Sequence, residues 1–201
     1  PNKFMPRMRW LLIALFSSSL SIGLFAQSKN EVSVNCGFAG NGLFVDKDLI
    51  GGPSYEGEGS YLIGLRYTRT VYRMFAIETG IDYSVNKIKV KPATGIDASA
   101  KDTKIKMLSV PIYGNVSFLK YFFVNAGAIV DFELNRTTLQ LTDEQSGVGL
   151  GIGIGTKYRI SGFAISLNPF LEKHAVIPFN KEEHQQRVME FGVRFRLGYE
   201  F

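Results

Sequence analysis

Two histidines, one cysteine and a run of alternate glycines are the residues whose types invite a search for chemistry in this chain. His174 lies in the run His174-Ala175-Val176, and His184 in His184-Gln185-Gln186. Neither sits at the helical spacing of a metal-binding pair, and Cys36, the single cysteine, rules out a cysteine cluster or an internal disulfide. Both histidines read as solvated loop positions, and Cys36 as a small hydrophobe on the apolar row of its strand rather than a reactive thiol. Gly147, Gly149, Gly151, Gly153 and Gly155 have the wrong period for a nucleotide-binding loop. A dinucleotide fingerprint needs G-x-G-x-x-G between a strand and a helix, and a P-loop needs a following Lys-Ser/Thr pair. Here apolar residues intervene and no helical pattern follows, so the run is a strand with one thin face. No catalytic, metal-binding or cofactor-binding residues are expected.

The elements that hold these residues alternate with period two. Met189, Phe191, Val193, Phe195, Leu197, Tyr199 and Phe201 form one row of the last stretch, and Glu190, Gly192, Arg194, Arg196, Gly198 and Glu200 the other. Because a strand sends successive side chains to opposite faces, one face is apolar and the other charged or small. Eight such stretches follow one another, at about 31–44, 58–71, 74–87, 104–119, 121–135, 147–160, 163–177 and 186–201. No comparable segment repeats at helical spacing, so the chain is all-β. Connections after the second, fourth and sixth stretches are tight; those near 45–57, 88–103, 136–146 and 178–185 are longer and polar. That alternation belongs to an eight-stranded antiparallel up-and-down transmembrane β-barrel, with short turns on one side of the membrane and longer loops outside.

Tyr67, Phe75, Phe118, Phe122, Tyr158, Phe163, Tyr199 and Phe201 all fall near the short-turn ends, where an interfacial aromatic girdle belongs. A soluble ligand-binding barrel would reverse the two rows and gain nothing from aromatics level with one rim. The row opposite the apolar one carries Arg66, Glu78, Asp82, Asp131, Glu133, Lys157, Arg159, Glu172, Glu190, Arg194 and Arg196. Side chains fill a barrel of eight strands, so these charges are expected to form a packed ionic network along the axis, with a narrow conduit as the other reading. Lys87, Lys89, Lys91, Lys101, Lys104 and Lys106 surround the second long loop. They are either a solvated tip or a patch for anionic lipopolysaccharide or an acidic envelope protein.

The N-terminus supplies an address. Lys3, Arg7 and Arg9 precede an apolar run from Trp10 to Phe16, a Ser-rich stretch and Gly23-Leu24-Phe25-Ala26. This is the pattern of a cleavable signal peptide over 1–26, leaving a single barrel domain over 27–201. Pro1 rather than Met opens the chain, so translation is expected to start at Met5, at Met8 or upstream. Without the three leader cations the 23 basic residues fall to 20, against 18 acidic ones, which gives no reason to expect nucleic acid.

The Leu108-Ser109-Val110-Pro111-Ile112 segment, the glycine-rich sixth stretch, the aromatic-ended last stretch and the exported N-terminus with Gln27 after the cut together resemble the outer membrane protein β-barrel domain family, the PorT-like group. More distantly the chain is similar to barrels of the OmpA and OmpX type. The resemblance implies a small integral outer-membrane protein, reached by Sec-type export, whose Phe195, Leu197, Tyr199 and Phe201 are read by the barrel-assembly machinery. It supplies no catalytic residues, and the His-x-Ser pair of eight-stranded outer-membrane lipid deacylases is missing at both histidines. The expected role is a non-enzymatic envelope structural or binding protein acting through its outer loops. The alternatives are an accessory component of a secretion or gliding apparatus, and, further off, a lipid-modifying enzyme or a narrow pore.

Overall fold

Alternation over long runs, tight two-residue turns and the absence of helical periodicity leave the backbone one way to satisfy its hydrogen bonds, which is from strand to neighbouring strand. The computed structural model describes residues 29–45, 54–91, 101–135, 143–180 and 186–201. The expected leader over 1–26, His184 and the remaining residues of the long connections lie outside the described residues.

The strands are β1 (Asn30–Val45), β2 (Ser54–Tyr72), β3 (Phe75–Lys91), β4 (Lys101–Phe118), β5 (Phe122–Glu133), β6 (Gly147–Ile160), β7 (Phe163–Pro178) and β8 (Gln186–Glu200). Each pairs antiparallel with its sequence neighbours, and β1 pairs with β8 from Glu31↔Glu200 to Val45↔Gln186, closing the barrel. The β6–β7 connection shows why the short turns are short. Ser161 and Gly162 both have positive φ, 46° and 89°, as the two central residues of a type I′ hairpin turn require.

Below the outer ends of the strands, the inward face is buried and mainly polar or glycine, and the outward face is exposed and apolar. Val34, Ile63, Leu65, Ile81, Ile112, Ile152, Ile165 and Leu197 are each more than half exposed, whereas Asn35, Arg66, Asp82, Asn115 and Arg196 are buried. This is the inverse of a water-soluble barrel. Phe118 stacks near Phe122 at 6.0 Å, Tyr121 near Tyr158 at 5.9 Å, and Phe163 meets Tyr199 edge-on at 5.5 Å, which makes a ring of paired aromatics at the short-turn rim.

The structure corrects the expected second outer loop. β3 runs on to Lys91 and β4 begins at Lys101, so both flanks of the segment expected to be loop from 88 to 103, namely 88–91 and 101–103, are strand. In this extension the polarity of the two rows inverts. Ile88, Val90, Ile105 and Met107 turn inward and pack with Val188 into a buried apolar layer, flanked by Leu43 and Tyr55. Lys87, Lys89, Lys91, Lys104 and Lys106 lie on the outward row. Inversion is what a barrel does where it leaves hydrocarbon for water, because the outer face is then solvated and the axis must be apolar or paired.

Replacing Ile152 with Arg places a cation on the middle of the outward row and should cost about 2–4 kcal/mol when unfolding is followed from lipid vesicles. The same exposed position on a water-soluble protein would tolerate the change within about 0.5 kcal/mol.

Candidate functional site

The axis of the barrel is the site that the sequence singled out, and it is organised in tiers. Nearest the short turns, Lys157 Nζ meets Glu31 Oε2 at 2.7 Å. Above it, Arg196 Nη1 donates to Glu78 Oε2 at 2.6 Å, and Arg66 lies between Glu78, at 3.6 Å, and Asp82, with which it makes a close ion pair. Arg194 Nη2 bonds Glu172 Oε1 at 2.9 Å and stands 3.7 Å from Asp82, with its guanidinium 4.3 Å above the Phe170 ring. Asn35 donates to Asp82 and Asn115 to Glu78, so carboxylate lone pairs left over by the arginines are also used.

β6 makes this arrangement possible. Its inward positions are glycines, and a Cβ at Gly151 would collide with the Tyr113 hydroxyl, which donates to Glu172 Oε1 at 2.7 Å. A Cβ at Gly149 would lie 2.9 Å from Asp131 Oδ2 and 3.1 Å from His174 Cα. The ladder of glycines is therefore a bare strip across which side chains of β4 and β5 reach those of β7.

The structure brings Arg66, Glu78, Asp82, Glu172, Arg194 and Arg196 into one connected cluster. Asp131 and Glu190 join through His174, whose Nδ1 is 3.0 Å from Asp131 Oδ1 and whose Nε2 is 3.8 Å from Glu190 Oε2. Three expected members lie outside this cluster, Lys157 on the axis with Glu31 and two at the rims. Arg159 is a correction: it sits at the short-turn rim, well exposed, paired with Glu200, because its inward position falls at the end of the strand where the lumen opens to water. Glu133 is half-buried at the opposite mouth and accepts the backbone N–H of Gln145 at 2.9 Å. His174 is a second correction, being 2% exposed rather than solvated. The missed signal was parity, since His174 shares the inward row with Glu172.

At the outer end β7 and β8 separate. Their pairing stops at Lys173↔Met189, just below Ala175, which adopts a positive φ of 46° in a register shift against β6. The gap is filled by 143–146. Gln186 N donates to Asp143 Oδ2 at 2.9 Å and Val188 N to Gln145 Oε1 at 2.9 Å, so two side chains stand in for the missing strand.

The extension of β3 and β4 moves Lys89, Lys91 and Lys101 from the expected loop onto strands, in line with Lys87, Lys104 and Lys106, which were expected on strands. Lys89 and Lys91 pair with Glu58 and Glu56. Lys87 is directly opposite Lys104, and Lys106 is opposite Val85; all three are exposed and make no ion pair among the described residues. Lys101 opens β4 opposite Val90. Cys36 is exposed on the apolar outer face.

The arrangement does not assemble an acyl-transfer triad around His174. Ser109 Oγ donates to Asp131 Oδ1 at 2.7 Å, so the hydroxyl is bound to the carboxylate and not to the imidazole.

No family model matches this chain, and no curated protein is similar to it in sequence. Among solved structures, the outer membrane protein OprG from Pseudomonas aeruginosa superposes with a TM-score of 0.56 over 87% of this chain and 96% of that one, at 13% identity. The fold is that of a small outer-membrane barrel. Ail of Yersinia pestis gives a TM-score of 0.45 over 86% of this chain and 99% of that one, at 14% identity.

Arg66→Met should cost about 3–5 kcal/mol in vesicle unfolding, because it leaves two carboxylates buried without their cation. Arg159→Met, on the exposed rim pair, should cost less than about 1 kcal/mol in the same assay.

Proposed function

We propose that this protein is an integral outer-membrane barrel, non-enzymatic and plugged, which serves the cell envelope as a structural and binding protein through its outer rim. The observation that carries this reading is the outward row of the β3–β4 extension. Lys87, Lys104 and Lys106 are exposed just above the point where the outer face stops being apolar, and among the described residues no carboxylate pairs with them. Cations at that height face the phosphates of outer-leaflet lipopolysaccharide, and each near an anionic surface contributes about 1 kcal/mol. Lys89 and Lys91, held by Glu58 and Glu56, flank them on the same side of the hairpin.

The interior supports a plug rather than a channel. Arginines and carboxylates occupy the middle tiers, and Ile88, Val90, Ile105, Met107 and Val188 close the axis above them. Assembly is proposed to run through β8, whose Phe195, Leu197, Tyr199 and Phe201 are all exposed on the outer face. An unfolded strand with such a row can add to a sheet edge in the assembly machinery. Export by a Sec-type route belongs to the same proposal.

Binding of the refolded protein to lipopolysaccharide-containing vesicles should fall as salt rises from low to physiological strength, and should fall severalfold when Lys87, Lys104 and Lys106 are all changed to Gln. Binding that ignores both salt and the triple substitution contradicts the surface reading. Planar-bilayer recordings should show no large steady conductance, and a reproducible open channel would contradict the plug.

A further inference from the structure

The middle of the barrel holds more negative than positive charge, and the surplus has a location. Glu78, Asp82, Asp131, Glu172 and Glu190 are all buried there, against the guanidinium groups of Arg66, Arg194 and Arg196. Two negative charges remain. Glu172 and Glu190 are moreover direct cross-strand partners on the inward faces of β7 and β8, an opposition of like charges that destabilises a sheet unless a cation lies between them.

His174 is the next inward position on β7 after Glu172, and its ring supplies the missing element. Nδ1 is tied to Asp131, 3.0 Å away, and that carboxylate is itself fixed by the Ser109 hydroxyl and the Ala175 N–H. Nε2 is buried and has no hydrogen-bond partner, 3.8 Å from Glu190 Oε2. A carboxylate on one imidazole nitrogen with the other left free is the outer-shell arrangement that orients a metal-ligating histidine. Atoms of Glu172, His174 and Glu190 lie within 4.8 Å of one another, beside a small cavity with room for about one water.

We propose that Glu172, His174 and Glu190 form a buried site for one divalent first-row transition-metal ion, with Asp131 orienting the imidazole. One nitrogen and two carboxylates suit zinc or its neighbours, and water in the cavity completes the set. Bonds of roughly 2.0–2.2 Å draw the three ligand atoms together by about an ångström. Glu172 keeps Oε1 on Tyr113 and Arg194, and Glu190 keeps Oε1 on Asn86, so each acid is braced from behind while it faces the ion. Two positive charges on a neutral histidine cancel the surplus; a proton on His174 cancels half of it. The positive φ at Ala175 and the β7 register shift lie at this point of the strand, where Ala175 donates its N–H to Asp131. The site is independent of the lysine surface, and neither proposal depends on the other.

The test is metal content after refolding. The full barrel is refolded with Zn2+, freed of excess metal in detergent, and measured by atomic emission beside protein refolded in EDTA. One zinc per chain is expected, slow to leave on later addition of EDTA because the site is closed above by the apolar layer. Co2+ in place of zinc should give visible d–d absorption. Glu190→Gln preserves an acceptor for Asn86 and should weaken the metal at least tenfold; Asp131→Asn, which keeps all three ligands but loosens the ring's orientation and removes one nearby negative charge, should weaken it by about 10–100-fold. Zinc should raise the unfolding temperature of the wild type and not that of Glu190→Gln. A wild type refolded in Zn2+ that holds no metal overturns the site however the variants fold, and so does equal retention by wild type and Glu190→Gln. In the first case the surplus charge is met by protons.

Discussion

A strand inside hydrocarbon has no water to bond with, and the rest of this molecule follows from that. Each unsatisfied backbone group would cost several kcal/mol, so the sheet must close on itself. β1 and β8 meet this demand over the full length of β1, from Glu31↔Glu200 to Val45↔Gln186. Once closed, the barrel has only one polar compartment, and its axis must hold every charge that the strands carry inward. Charges in such a place are tolerable only when paired and hydrogen-bonded. The chain of contacts from Arg196 through Glu78, Arg66, Asp82 and Arg194 to Glu172 is the response to that condition.

Large ion-pairing side chains need space, and β6 supplies it. A strand of alternate glycines loses chain entropy and contributes no inward packing of its own. In return it lets Tyr113 and Asp131 cross to Glu172 and His174 on β7. Two strands on either side of β6 thus share a polar core without widening the barrel. The lower tier, Lys157 with Glu31, follows the same economy between β6 and β1, across the lumen.

The rows were legible in the sequence because period two survives any local irregularity, and the two polarities are unmistakable in β8 and β6. The pairing of Arg66 with Asp82 was not legible, since it depends on strand register, which inward charges alone do not fix. Two misreadings share one cause. The stretch from Ile88 to Lys91 looked like loop because the polarity of the rows reverses after Asn86, although the alternation itself continues through Ile88 and Val90. His174 looked solvated because it stands near the end of β7, although its parity is that of Glu172. In both places composition was given more weight than phase. The contact between His174 and Asp131 needs a bare strip between β5 and β7, and the glycines that make it carried no such meaning until the strand order was known.

The central claim is that the aliphatic row of each strand touches lipid while the ions lie on the axis. Trp10 is the single tryptophan, so after its replacement by Phe a tryptophan can be placed at will as a reporter. Fluorescence quenching by lipids brominated along their acyl chains then reads contact with hydrocarbon directly. Tryptophan at Ile152, on the outward row, should be strongly quenched, and tryptophan at Phe170, inward beneath Arg194, should not. Strong quenching at Phe170 with none at Ile152 would mean that the barrel is greasy inside, and would contradict this account.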